Sequence, residues 1–477
     1  MTDLPAPARP AALRSSGTLD LSHPRRVHVA NVGGAGMSAV ATLLAESGHR
    51  VSGHDPVPAT PFLPMLAALG VEVAAGGPAP ALGDDVEAVV VSTATPDDDP
   101  VVAAAHRRGV PVLHRAAALA ALCARRTTVA VAGTHGKTTT SALLTTVLAA
   151  TGRDPGWVVG SPIPQLGRSA AWGGGGPLVV EADESDGTFL ALGADLAIVT
   201  NVEPDHLENW GGEAALRSAF RDFVSALPGP AVLCADDAGA RSLATTAGEA
   251  VTYGLDAGAD YEVVAPVSWA TGVAFDLRHD GEQVRVELPA APGVHNATNA
   301  AGALAVAHRL GVPLAEGAAA LAGFEGVARR FERRGEAAGV TVVDDYAHLP
   351  TEVAAALEAG RSGPWTRVVA VFQPHRYSRT EALWRDFADA FEAADVLAVT
   401  DVYAAGEPAR PGVSGKLVVD AVLDAHPWAA VAWLPALDDV LLWLRGTLRR
   451  GDLCLTLGAG DLTSLAPRIV AMLEERA

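Results

Sequence analysis

Short apolar runs alternate with longer stretches in which apolar residues return every three or four positions, and this alternation continues from Arg26 almost to the end of the chain. In the first part it predicts strands at Val27–Val32, Arg50–Asp55, Val71–Gly76 and Ala88–Thr93, with helices at Met37–Glu46 and Pro61–Leu69. A second group of strands is expected at Thr127–Gly133, Leu178–Asp183, Ala197–Val202 and Ala231–Asp236, with a loop at Trp172–Pro177 and a helix at Glu213–Ala226. A third comprises strands at Thr341–Asp345, Arg367–Phe372, Val396–Tyr403, Ala430–Pro435 and Asp452–Gly458, with helices at Thr351–Ala359 and Glu381–Ala393. Strands that alternate with helices form parallel sheets covered on both faces, so the fold class expected is α/β with mostly parallel sheets.

Length agrees with three such groups. At about 150 residues per domain, a chain of 477 residues suggests about three domains. The boundaries expected are a disordered Pro- and Ala-rich tail at 1–25, a first domain at 26–123, a second at 124–328 and a third at 329–477. The tail lacks the continuous apolar core of a signal peptide, and no charge-free apolar run is long enough to span a bilayer. A cytoplasmic protein is expected, with no membrane partner. A net charge of -20 argues against nucleic acid as a partner. Cys123, Cys234 and Cys454 are widely spaced in apolar surroundings and are expected to be buried, reduced thiols.

Composition sharpens one motif. The chain contains only two lysines, Lys137 and Lys416, among 35 basic residues. Lys137 stands in the run Val129–Thr140, where an apolar strand meets a glycine turn and then a helical stretch. Gly133, Thr134, His135, Gly136, Lys137, Thr138 and Thr139 read as a phosphate-binding loop: glycines free backbone N–H groups, the helix start is positive, and a compact ammonium meets phosphate oxygens. The outer glycine of the common phosphate-loop pattern is Val131, so this is a G-T-x-G-K-T-T variant.

Other strand ends carry further chemistry. Asn31-Val32-Gly33-Gly34-Ala35-Gly36-Met37 resembles a dinucleotide-binding turn, with Asp55 placed to meet a ribose. Taken alone, that turn leaves open a nicotinamide-dependent oxidoreductase or a purely structural role, and the phosphate loop alone leaves open a non-catalytic nucleotide-binding protein. Glu181, Asp183, Glu184 and Asp186 crowd one strand end, as ligands for Mg2+ or as a solvated acidic turn. Asn201, Glu203, Asp205 and His206 follow the next strand. In a parallel sheet all these strand ends share one edge, so Lys137, Glu181 and His206 are expected to converge. His295, Asn296 and Asn299 open a helix. Arg329 and Arg330 form a basic pair at a domain junction. Asp344, Asp345, Tyr346 and His348, then His375, Arg376 and Arg379, lie at strand ends of the third group, where Arg376 and Arg379 read as a fork for a carboxylate or phosphate.

In this order the motifs GGAGMS, AGTHGKTTT, EADESD, TNVEPDH, HNATNA, FEGVARRF, FQPHRYSRT and GAGDL resemble those of the Mur ligases, over roughly residues 26–465. The resemblance implies an N-terminal Rossmann-like domain for a UDP-sugar, a central P-loop ATPase and a C-terminal Rossmann-like domain that closes over the site. It implies ATP and Mg2+ as cofactors. Residues 133–139, His295, Asn296, Asn299 and Arg329 or Arg330 would hold ATP, while Thr138, Glu181 and His206 would serve the magnesium ions. Gly33, Gly34, Gly36, Met37 and Asp55 would meet the sugar nucleotide. Tyr346, His348, His375, Arg376 and Arg379 would meet the acyl group and the amino acid, with Lys137, His206, His348 and Arg376 as catalytic groups. Three positions depart from the family pattern: Asn31 and Ala347 replace Gly, and Leu349 replaces a second His. Later members of the series use a carbamylated lysine in the central domain, but no lysine occurs between Lys137 and Lys416. This agrees with the branch that works first, implying UDP-N-acetylmuramate and L-alanine as substrates and a monomer or weak homodimer.

Overall fold

The computed structural model describes residues 19–96 and 98–476. Most of the expected tail therefore lies outside the described residues. The described part of it is packed: Leu21 is buried, and Arg25 pairs with Glu87 at 2.8 Å.

Three sheets carry the fold. The first contains β1 (Arg26–Ala30), β2 (Arg50–Asp55), β3 (Glu72–Ala75), β4 (Ala88–Val91) and β5 (Val112–His114), all parallel, in the order β3-β2-β1-β4-β5. The second contains β6 (Thr128–Ala132), β7 (Gly156–Ile163), β8 (Arg168–Ala171), β9 (Leu178–Glu181), β10 (Leu196–Val199), β11 (Ala231–Cys234), β12 (Ala250–Gly254), β13 (Tyr261–Ser268), β14 (Val273–His279) and β15 (Glu282–Leu288). Its order is β15-β14-β13-β12-β11-β10-β6-β9-β7-β8, parallel from β7 through β13, with β8 antiparallel on β7. The third contains β16 (Glu332–Ala337), β17 (Val340–Asp345), β18 (Arg367–Phe372), β19 (Val396–Val399), β20 (Val431–Trp433) and β21 (Asp452–Leu457), in the order β16-β17-β21-β18-β19-β20. Only β16 runs antiparallel there.

Contacts divide the chain into two compact units. One holds residues up to Val264 with Asp276–Arg285 and Thr298–Leu321; the other holds Ala265–Phe275, Val286–Ala297 and the chain from Ala322 onward. In the latter, β18 shows why a parallel strand is apolar throughout. Val368, Ala370 and Phe372 enter one core with Leu357 and Val418, while Val369 and Val371 enter the opposite core with Leu444 and Ile469. Helices cover both faces, so alternate residues are equally dry.

All three cysteines are buried and unpaired, and burial pushes the thiols of Cys123 and Cys454 up to about 12 and that of Cys234 to about 11. They are packing residues. No described helix is long and apolar enough to cross a membrane. The helix expected at Glu381–Ala393 is instead a helix at Tyr377–Leu383 followed by a 3-10 turn at Trp384–Phe387. Phe387 and Phe391 both pack on Phe372, at ring separations of 5.0 and 5.3 Å, and this demand outweighs local helical spacing.

A buried polar chain crosses the first sheet. His28 joins Ser52 Oγ at 2.9 Å and His54 Nδ1 at 2.9 Å, and His54 Nε2 meets Asp99 at 3.0 Å. Burial, then the neighbouring His54, lowers the His28 pKa to about 4. An unfolded histidine titrates near 6.5, so below that pH the unfolded chain binds a proton that folded His28 refuses. Stability is then full above pH 6.5 and falls toward pH 4. Denaturant unfolding should show a loss of about 2 kcal/mol between pH 7 and pH 5 from this group. A His28→Gln variant should show a correspondingly shallower fall; an unchanged slope would remove His28 as the cause.

Candidate active site

Strand β6 lies between β9 and β10, all three parallel, with Val131 in register with Glu181 and Ala132 with Val199. Their C-terminal ends therefore share one edge, as expected from the sequence. The loop leaving β6 is braced by residues that leave β10. Asn201 Oδ1 accepts the His135 N–H at 2.7 Å, Thr200 Oγ1 donates to the His135 carbonyl at 2.5 Å, and Thr134 Oγ1 donates to the Glu203 carbonyl at 3.1 Å. His135 Nε2 meets Glu203 at 3.1 Å. Gly136, at φ +77°, turns the loop into the helix Lys137–Ala150, and a Cβ there would lie 2.7 Å from Asn299 Oδ1. Asn299 thus sits at the loop.

Lys137 is half-buried in this loop, its side chain 14% exposed. Its ammonium donates to the carbonyls of Gly133 at 2.6 Å and Thr134 at 3.0 Å and lies 2.8 Å from Glu184 Oε2. Burial alone would lower its pKa, but Glu184, Asp183 and Glu181 outweigh that and hold it above the ordinary lysine value. Burial pushes Glu184 the other way, up to about 7, against the pull of Lys137. The lysine is therefore the firmly charged member of the pair. Sequence reasoning placed Glu184 in the acidic turn but did not pair it with Lys137, because residue types do not reveal partners distant in the chain.

Glu181 closes β9. Its Oε1 accepts from Thr138 Oγ1 at 2.9 Å and its Oε2 from the Gly160 N–H at 2.5 Å. A carboxylate and a hydroxyl already in contact at a phosphate loop are hard oxygen donors, the set that suits Mg2+. His206 follows β10 with φ +52° and meets Asp205 at 3.3 Å.

The same unit contains the glycine turn. Asn31 adopts φ +52°, the left-handed conformation that Asn tolerates, which accounts for its place where Gly is usual. Asp55 Oδ2 accepts the Gly33 N–H at 2.8 Å and its Oδ1 accepts the Val57 N–H at 2.9 Å, so Asp55 fixes the shape of the turn. Gly33, Gly34, Gly36, Met37 and Asp55 line a pocket of about 570 Å³ together with Arg115, Ser185 and Asp186. Arg115 was not singled out in the sequence, since one arginine in an alanine-rich helix carries no motif.

In the other unit, Tyr346 is flanked by two guanidiniums, with Arg329 4.8 Å and Arg330 5.0 Å from its ring centre. Asp345 accepts the N–H groups of Phe331 and Ala347 at 2.6 and 2.7 Å, and burial raises its carboxyl to about 6. His348 meets the Tyr346 carbonyl at 3.0 Å and Glu352 at 3.2 Å. Its ring is 5.7 Å from that of His375, which also stacks on Tyr403 and meets Arg379 at 3.1 Å. Burial, then the charges of His348, Arg379 and Arg376, lowers His375 to about 3, so it is neutral at physiological pH. Arg376 lies 3.9 Å from Glu407. The expected cluster forms, with Tyr403 added. Ala347 and Leu349 are buried, so the departures from the family pattern fill space within this unit. His295 is exposed, and desolvation by the surrounding chain, then the Arg330 charge, holds its pKa below the ordinary histidine value. Asn296 donates to the Pro292 carbonyl at 2.7 Å.

The first unit thus carries a glycine turn and a phosphate loop with an oxygen-donor pair, and the second a histidine–arginine cluster. The chain matches the models for the Mur ligase family, catalytic domain, at residues 26–127, the Mur ligase middle domain at 131–307 and the Mur ligase, glutamate ligase domain at 329–460. The chain belongs to the Mur ligase family, as an α/β protein of three domains. Among its relatives are the UDP-N-acetylmuramate--L-alanine ligases of Anaeromyxobacter sp. (strain Fw109-5), 43% identical over 95% of this chain and 99% of the relative, and of Kineococcus radiotolerans, 46% identical over 94% and 97%. The solved UDP-N-acetylmuramate-alanine ligase of Thermotoga maritima matches with a TM-score of 0.78 at 27% identity, covering 95% of this chain and 100% of that one. Membership removes the oxidoreductase that the glycine turn alone left open.

Proposed function

We propose that this chain joins L-alanine to the lactyl carboxylate of UDP-N-acetylmuramate, consuming ATP and releasing ADP and phosphate, as the first peptide step of peptidoglycan precursor synthesis. The observation that carries the reading is the full-length likeness to ligases of that name, combined with a phosphate loop whose lysine is held at the correct sheet edge. The protein acts in the cytoplasm as a monomer or weak homodimer, with residues 26–123 binding the sugar nucleotide, 124–328 binding ATP and 329–477 binding the amino acid and closing the site.

A carboxylate does not condense with an amine unaided. One of its oxygens attacks the γ-phosphorus, the bond to the β-phosphate bridging oxygen breaks, and ADP leaves. The acyl phosphate then has a good leaving group: the alanine nitrogen attacks the acyl carbon, phosphate departs and the nitrogen loses a proton. Lys137 offsets charge on the transferring group, and the backbone amides of residues 133–139 position it. Thr138, Glu181 and His206 would hold Mg2+, which when bound supplies electrostatic stabilisation of the phosphoryl oxygens. Asn299 and His295, Asn296, Arg329 and Arg330 hold the nucleotide. Tyr346, His348, His375, Arg376 and Arg379 orient the acyl group and the amino acid, and His206 or His348 takes the amine proton. The third domain excludes water, which would hydrolyse the acyl phosphate.

The test is phosphate release with ATP and Mg2+ and each amino acid in turn, with and without UDP-N-acetylmuramate. Release is expected only with the sugar nucleotide, and fastest with L-alanine. Release independent of the sugar nucleotide would overturn the assignment.

A further inference from the structure

The pocket beside the glycine turn has an unusual charge balance for a site that takes a diphosphate. Its lining includes two carboxylates, Asp55 and Asp186, and among the described residues a single cation, Arg115. The backbone amides of the turn contribute partial positive charge, but Asp55 already takes the Gly33 N–H. A dianionic ligand entering here meets two acids, and the guanidinium is the full positive charge available to offset them.

The guanidinium is aimed rather than loose. Its Nε and Nη2 fork onto Asp186 Oδ2 at 3.2 and 2.6 Å, and Nη2 also lies 3.4 Å from Asp183. Those two carboxylates outweigh the cost of burial and hold Arg115 above its ordinary pKa. The remaining nitrogen, Nη1, has no hydrogen bond to a described residue and points at Gly36, where a Cβ would overlap it. Glycine at position 36 therefore leaves room for a guanidinium nitrogen at the turn itself. A fork held on one side by carboxylates and open on the other is a preorganised donor for a second anion.

We propose that Arg115 is the specificity-determining cation of this pocket, donating from Nη1 to the diphosphate of the sugar nucleotide while Asp186 and Asp183 hold the fork in place. The inference rests on the sugar-nucleotide reading above. It also ties that pocket to the phosphate loop through the chain itself, because Asp183 and Asp186 flank Glu184, the partner of Lys137.

The experiment compares wild type with Arg115→Ala, Arg115→Lys and Asp186→Asn, measuring KM for each substrate and calorimetric binding of UDP and of UDP-N-acetylmuramate. Arg115→Ala should raise KM for the sugar nucleotide at least about tenfold and weaken UDP alone by a similar factor, with KM for ATP changed less than about twofold. Arg115→Lys keeps the charge without the fork and should fall between the two; Asp186→Asn, which loosens the fork, should also raise KM for the sugar nucleotide but by less. An unchanged sugar-nucleotide KM in Arg115→Ala, or an equal rise in both KM values, would overturn the proposal. So would weakened binding confined to the muramate with UDP unaffected, since the lactyl carboxylate would then be the anion read. A wild type that releases no phosphate with the sugar nucleotide fails the ligase reading; a wild type that turns over beside an unaffected Arg115→Ala fails Arg115 alone.

Discussion

Replacing Lys137 with alanine is expected to lower kcat/KM for ATP-dependent phosphate release by about 10³-fold, the scale on which a single preorganised cation acts in phosphoryl transfer. In the resting loop all three donors of the ammonium are directed at the Gly133 and Thr134 carbonyls and Glu184. Nucleotide phosphates must compete for a lysine that is already charged and already placed, so little reorganisation precedes the reaction. The truncation has a second consequence. Glu184 is 2% exposed, and without its cation it becomes an uncompensated buried carboxylate whose pKa rises further, because the pull of Lys137 is gone. Lys137→Ala should therefore also lower the thermal midpoint, and adding Glu184→Gln should restore the midpoint without restoring turnover. Lys137→Arg should fail almost as fully as alanine, because a planar guanidinium does not fit a cradle of two carbonyls and a carboxylate built for a compact ammonium. Phosphate release and thermal unfolding of these variants decide the matter. A Lys137→Ala protein with more than a tenth of wild-type kcat/KM would remove the lysine from the chemistry.

Most parallel strands are readable because both-face burial writes them as continuous apolar runs, whereas the parallel β5, β7 and β12 are not among the strands expected. The strand expected at Arg50–Asp55 matches β2 at both ends, and the helix at Glu213–Ala226 differs by one residue from that observed. The antiparallel additions were not foreseen. Strand β8 pairs with β7 across the 3-10 turn Pro164–Leu166, and β14 and β15 alternate apolar with polar or charged residues over a segment for which no strands are expected. Their signal is a period of two on a half-exposed surface, weaker than an apolar run. At the site, motifs gave the identities of Lys137, Glu181 and His348 but not who holds them. Glu184 on Lys137, Arg115 on Asp186 and Tyr403 on His375 join residues far apart in the chain, and only the sheet order brings them together. Asp55 shows the converse: it closes β2 where the strand end is expected, and the structure adds that both of its oxygens brace the turn.

Glu181→Gln is expected to lower phosphate release by about 10²-fold to 10³-fold and to raise the Mg2+ concentration needed for half-maximal rate. The substitution keeps the shape and one acceptor oxygen, so either the bond from Thr138 Oγ1 or that from the Gly160 N–H survives and the end of β9 stays in place. What is lost is one negative charge from a donor pair of hard oxygens. Mg2+ holds its own water tightly and exchanges it only for anionic oxygens, so an amide is a poor replacement for the carboxylate. Thr138→Ala removes a neutral donor and should cost less, through the same shift in Mg2+ dependence. Because Glu181 sits in register with Val131 on the strand that feeds the phosphate loop, a general distortion would lower affinity for nucleotide even without metal. Nucleotide binding measured in EDTA should therefore be unchanged in Glu181→Gln, while binding in Mg2+ weakens. Equal weakening under both conditions would mean that the carboxylate shapes the loop and does not hold the ion. An unaltered Mg2+ dependence would remove Glu181 from the metal site and leave the ion to His206 and other carboxylates on this sheet edge, Asp183 first among them.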